Sequence, residues 1–286
     1  MGESEGFTGK VSNGRCRQYP DLTVAHIIAS LKRLQTRGNL KRSQSPMVLA
    51  SPETAKRISD NWHRVNLEVA EAARQAGRQA DEILLVGVSK YVDAGMTAQL
   101  FDAGCRSLGE NRPQNLWAKA EEFKRLDRQA TWHLIGHLQR NKIRRTLPLI
   151  EWLHSLDSLR LANAVSNEAV AANVQLKVLL EVNVTQDFSK TGLPPNELMQ
   201  VAQHVLVLPN LQLRGLMAMC SLDSAGELAR REFAKVREIR DSLQSALGEN
   251  VKLDQLSMGM SSDFREAVAE GSTMLRVGSS LFQGII

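Results

Sequence analysis

The sequence predicts a single (β/α)8 barrel, the TIM barrel of the α/β class. Three observations point to it. Eight short apolar runs recur along the chain, polar segments of helical pattern separate them, and the part after residue 46 matches one barrel of roughly 250 residues. Hydrophobic residues make up 43% of the 286, enough for a core of that size.

The first element is a helix over 51–76, opened by the capped start Ser51-Pro52-Glu53-Thr54 and stopped just before Gly77. The first strand is Ile83-Leu84-Leu85-Val86-Gly87-Val88, a continuous apolar run of the kind buried on both faces in parallel sheets. Further strands are expected at about 107–109, 132–136, 152–155, 177–183, 213–219, 255–258 and 274–277. The clearest helix between them spans 230–247, with Phe233, Val236, Ile239, Leu243 and Leu247 spaced by three or four. Eight strands with helical crossovers close a parallel barrel. An open doubly wound sheet is the competing fold, but it would carry a Gly-rich fingerprint after its first strand, where Val88-Ser89-Lys90-Tyr91 stands instead. The barrel uses nearly everything from 47 to 286, so no second domain is expected.

Residues 1–46 read differently. They hold eight Lys/Arg against three Asp/Glu and so carry the whole net charge of +5, while the remainder balances 28 bases with 28 acids. This segment reads as a disordered extension, with Met47 as a possible true start; an arm that binds a partner is the alternative. Because the body is neutral and poor in aromatics, a nucleic-acid-binding role is disfavoured. Cys16, Cys105 and Cys220 are odd in number and far apart, so neither a disulfide framework nor a zinc site is expected, and no metal is assigned. The apolar stretch 25–31 is too short and polar for a signal peptide or a membrane span. Gly at position 6 argues against myristoylation. The chain reads as a cytoplasmic monomer with no membrane partner.

Barrel enzymes place their sites at the C-terminal ends of the strands. Strand one ends in Lys90, above an apolar floor that would disfavour the ammonium form and prepare the amine to attack a carbonyl. A solvated lysine at a strand end fits the spacing equally well. Strand two ends in Gly109-Glu110-Asn111, strand three supplies His133 and His137, strand four His154, and strand five Glu181. Each histidine can be hydrogen-bonded scaffolding or a base. Strand seven runs into Gly259-Met260-Ser261-Ser262-Asp263 and a helix, and strand eight into Arg276-Val277-Gly278-Ser279 and a short final helix. Two Gly/Ser turns after the last strands stand where barrels commonly bind phosphate, although Ser261 and Ser279 could simply cap helices. With Lys90 across the mouth, the pairing favours a phosphorylated carbonyl ligand.

These segments carry a resemblance over about residues 55–286. The chain resembles the pyridoxal phosphate homeostasis (YggS/PROSC) family, whose barrel is similar to the N-terminal domain of alanine racemase. The matching motifs are Val88-Ser89-Lys90, Gly109-Glu110-Asn111, Trp132-His133-Leu134-Ile135-Gly136, Leu138-Gln139-x-Asn141-Lys142 and His154-Ser155. They continue with Val182-Asn183, Ser189-Lys190-x-Gly192, Gly215-Leu216-Met217, Leu256-Ser257-Met258-Gly259-Met260-Ser261 and Gly271-Ser272-Thr273-Met274-x-Arg276-x-Gly278. The resemblance implies that Lys90 holds pyridoxal 5′-phosphate as a Schiff base, that Ser261, Gly278 and Ser279 help hold its phosphate, and that Arg276 faces the pyridine nitrogen. By the same likeness Asn111 and His133 lie near the cofactor. Family members often carry a second lysine two places after the first; Val92 stands there in this chain. His137 occupies a variable position of its motif.

The resemblance therefore implies a carrier and buffer of pyridoxal phosphate without turnover, with apo-enzymes that use the cofactor as partners and no catalytic residue assigned. The alternative is a racemase-like enzyme. Two-base racemisation needs a tyrosine opposite the lysine, and the chain has only Tyr19 in its extension and Tyr91 beside Lys90. In strand geometry Tyr91 would point away from Lys90.

Overall fold

The computed structural model describes residues 51–185, 191–221 and 225–286. The expectations for 1–46 and Met47, and the matched Ser189 and Lys190, fall outside them. The chain enters through α1 (Pro52–Gln75), where the Ser51 hydroxyl accepts the Thr54 N–H at 3.2 Å and Pro52 occupies the first turn, which needs no N–H. Ile58, Val65, Val69, Ala72 and Ala73 form its buried face.

Strands and helices then alternate: β1 (Leu84–Val88), α2 (Ala94–Asp102), β2 (Ser107–Glu110), α3 (Pro113–Arg125), β3 (Thr131–Leu134), α4 (Ile143–Thr146), β4 (Trp152–Leu156) and α5 (Leu159–Ala172). The second half continues with β5 (Leu176–Glu181), α6 (Leu198–Val207), β6 (Leu211–Met217), α7 (Glu227–Leu247), β7 (Gln255–Ser257), α8 (Phe264–Ala269) and β8 (Met274–Val277). Neighbouring strands pair in parallel, and β8 returns to β1, with Leu84 opposite Met274 and Gly87 opposite Val277. The sheet thereby closes into the expected eight-stranded barrel. Most of the core lies between sheet and helices, while Trp152, Leu179, Met217 and Met274 form a separate apolar cluster. No helix among the described residues is long and apolar enough to cross a membrane.

The boundaries expected for strands five and six run too far. Val182 leaves the ladder for a single bridge to Leu193. β6 spans Leu211–Met217 rather than the expected 213–219, and within it the register slips between the pairs Val178–Leu213 and Leu179–Gly215, so Arg214 is extra on that strand. The bulge requires Gly215: its φ is 149°, and a Cβ there would collide with the backbone oxygen of Gln255. Gly215→Ala is expected to lower the unfolding free energy by about 2–4 kcal/mol, measured by urea denaturation. A variant as stable as the wild type would show that the bulge tolerates a side chain.

Candidate functional site

A cavity of about 470 Å3 opens at the C-terminal ends of the strands. Six of the seven residues singled out from sequence line it: Lys90, Asn111, Ser261, Arg276, Gly278 and Ser279. His133 does not; its ring is fully buried inside the barrel.

Lys90 reaches the cavity because β1 stops at Val88 and the chain turns, with the Val92 N–H bonded to the Ser89 carbonyl at 3.0 Å. The turn also corrects the expectation for Tyr91. Strand alternation no longer applies there, so Tyr91 lines the same cavity, its ring centroid 4.9 Å from the Lys90 ammonium. Val92 is buried in the core.

A buried ion pair anchors this turn. Lys119 of α3 contacts Glu110 at the end of β2 and donates to the Ser89 carbonyl at 2.7 Å and the Ser89 hydroxyl at 3.1 Å. The same hydroxyl donates to Glu110 at 2.8 Å. Burial pulls the Lys119 pKa down, against the pull of Glu110. The backbone just before Lys90 is thus held from two elements. Sequence reasoning missed Lys119, although its spacing with the buried Leu116 and Phe123 puts a charge on the apolar stripe of α3.

The far wall is built from backbone donors. The N–H groups of Gly278 and Ser280 converge on the Ser261 hydroxyl at 3.2 and 3.4 Å. The expected helix start at Ser261 is corrected: α8 begins at Phe264, and Ser261 sits in the preceding loop, turned toward the β8 loop. The expected final helix is a short 3-10 turn at Ser279–Leu281. A Cβ at Gly278 would come within 3.2 Å of the Val88 carbonyl, so glycine lets this loop lie against β1. Converging N–H and hydroxyl groups of this kind suit an anion.

Arg276 is buried between these two walls. Its guanidinium donates to the Ser257 carbonyl at 2.6 Å, the Ser257 hydroxyl at 2.7 Å and the Ala218 carbonyl at 2.9 Å. Burial lowers its pKa to about 10, which leaves it a cation at neutral pH. Glu181, at the end of β5, also lines the cavity; Thr191 donates to it at 2.6 Å, yet burial dominates and raises its pKa. His137 lies on the rim, 3.2 Å from Asp157. An amine, an anion cradle and a fixed cation in one cavity fit a phosphorylated aldehyde with an aromatic nitrogen.

His133 and His154 are in direct contact, Nδ1 of the first 3.0 Å from Nε2 of the second. Burial pushes the His133 pKa down to about 3 and that of His154 well below the usual imidazole value. Between about pH 6.5 and 3 the unfolded chain therefore binds protons that the folded one refuses, so stability falls as pH drops through this window. Raised carboxyls at Glu181 and Asp263 act in the opposite sense. His133→Asn isolates one imidazole: between pH 6 and 5 its unfolding free energy should drop by about 1 kcal/mol less than that of the wild type, in urea titrations. Equal slopes would mean that His133 accepts a proton in the fold.

Residues 69–285 match the family model for the alanine racemase N-terminal domain. The pyridoxal phosphate homeostasis protein of Pseudomonas aeruginosa is 38% identical over 225 residues, 79% of this chain and 94% of that protein. The protein of the same name from Aquifex aeolicus is 38% identical over 77% of this chain and 94% of its own. PipY of Synechococcus elongatus, solved with PLP bound, superposes with a TM-score of 0.71 at 33% identity, covering 79% of this chain and 99% of that one. The chain belongs to the pyridoxal phosphate homeostasis protein family, built on the alanine racemase N-terminal barrel.

Proposed function

We propose that this barrel binds pyridoxal 5′-phosphate, holds it on Lys90 and serves to carry and buffer it, without turnover of its own. The observation that carries the reading is the placement of Lys90, the Ser261–Gly278–Ser279 cradle and the buried Arg276 around one cavity. The binding of PLP by PipY supports it.

When bound, the cofactor supplies a carbonyl carbon for an amine and a pyridine ring able to draw electrons away from that carbon. Lys90 is the amine that reaches the carbonyl. The N–H groups beside Ser261 hold the phosphate, as other backbone nests do. Arg276, a permanent cation tied down by Ser257 and Ala218, resists protonation of a ring nitrogen placed against it. That weakens the ring as an electron sink and discourages carbanion chemistry.

Three further features favour a carrier over a racemase. Lys90 and Arg276 are the only Lys or Arg among the described residues lining the cavity, and Arg276 is already engaged with protein oxygens. Glu181 would repel the carboxylate of an amino acid entering beside it in its ionised form. Tyr91 and Lys90 reach the cavity from one turn, whereas two-base racemisation needs its bases on opposite faces.

Borohydride reduction of the loaded protein should leave an adduct on Lys90, located by peptide mass, and Lys90→Ala should abolish it. An undiminished adduct in that variant would put the attachment elsewhere. Alanine racemisation by the loaded protein should stay far below ordinary enzyme rates of about 1 s⁻¹, followed by chiral chromatography. Turnover at that level would restore the racemase reading.

A further inference from the structure

A file of side chains runs from Arg276 into the barrel interior. The Arg276 guanidinium meets the Ser257 hydroxyl at 2.7 Å. That hydroxyl lies 2.9 Å from Nδ1 of His154, and Nε2 of His154 lies 3.0 Å from Nδ1 of His133. Ser257, His154 and His133 are all fully buried. The His133 ring stacks on Trp152, with planes 2° apart and centroids 5.9 Å apart, which fixes its orientation. Nε2 of His133 has no hydrogen-bond partner among the described residues.

The donors and acceptors select one direction. A guanidinium only donates, so the Ser257 oxygen accepts from Arg276. If its own proton goes to His154 Nδ1, then His154 carries its proton on Nε2 and gives it to His133 Nδ1, and His133 is protonated on Nε2. One group then ends unsatisfied, the outer N–H of His133. In the reverse direction two groups would: the Ser257 hydroxyl proton and the bare Nε2 of His133. Unmade bonds of buried groups are costly, so the direction that leads away from Arg276 wins. A hydroxyl committed to His154 presents its lone pair to Arg276 and holds the guanidinium in place.

We propose that Ser257, His154 and His133 form a one-way hydrogen-bond chain that aims Arg276 at the ring nitrogen of the bound ligand, which makes the two histidines positioning residues. This rests on the reading of the cavity as a pyridoxal phosphate site. Ser257, His154 and His133, three polar side chains in line inside a barrel whose nearby interior is Trp152, Leu179, Met217 and Met274, are dispensable for packing, where apolar residues would serve. They gain a purpose if they hold a cation that the cavity needs in one orientation.

Two measurements on the full chain test the chain of bonds. In ¹⁵N-histidine spectra of the ligand-free wild type, His154 and His133 should both show a protonated Nε2 and a bare Nδ1. A protonated Nδ1 on His154 would overturn the proposal without any ligand present. The second measurement titrates variants with pyridoxal phosphate. Ser257→Ala and His154→Leu should each weaken binding about tenfold and alter the absorption band of the bound ligand, and the double variant should be no weaker than either single one. His154→Asn, whose amide oxygen can accept from Ser257, should stay within about threefold of the wild type. Additive losses, an unchanged band, or a His154→Asn variant as weak as His154→Leu would reduce the chain to scaffolding. If His154→Leu does not fold, Ser257→Ala and the wild-type spectra decide. A wild type that takes up no pyridoxal phosphate would sink the cavity reading itself, and with it any role toward that ligand.

Discussion

Closure of the sheet between β8 and β1 is the constraint on which the site depends. The two strands lie about as far apart in sequence as the barrel allows, yet they pair from Leu84 opposite Met274 to Gly87 opposite Val277. That register sets the turn carrying Lys90 beside the loop carrying Gly278 and Ser279. The contact is close enough that a Cβ at Gly278 would press on the Val88 carbonyl. Lys90 and the Gly278–Ser279 loop line one cavity because the hydrogen-bond ladder of a closed barrel fixes how its first and last strands meet.

The site is also a place where charge is kept dry. Arg276 sits inside the protein with its donors on Ser257 and Ala218, and Lys119 is buried against Glu110 and Ser89. Isolated charges of this kind would be expelled or neutralised; here each is surrounded by fitted acceptors. Removing one partner of such a pair typically costs about 3–5 kcal/mol, because the other is left uncompensated. The arrangement thus commits stability to the geometry around Lys90 and Arg276, and an imidazole pair that stays neutral keeps further positive charge away from the guanidinium.

Much of this was legible in the chain itself. Apolar runs such as 83–88 are long enough for buried strands and too short for helices, and their number implies closure. Lys90, Asn111, Ser261 and Gly278 follow their strands, and Arg276 stands near the end of β8, because a strand must leave the core there. Chain length and the neutrality of residues after 46 bounded the rest.

What tertiary structure alone decided is whatever depends on contacts between distant segments or on where a strand stops. Whether β1 ended at Val88 or ran on decided the side to which Tyr91 points. Lys119 reads as an ordinary helical lysine until α3 is laid on the sheet and places it against Glu110. His133 reads as a site residue until the barrel closes around it, and its neighbour His154 meets Ser257 across 103 positions of sequence. Periodicity records which face of an element is dry, but a hydrogen bond between two elements leaves no periodic trace in either.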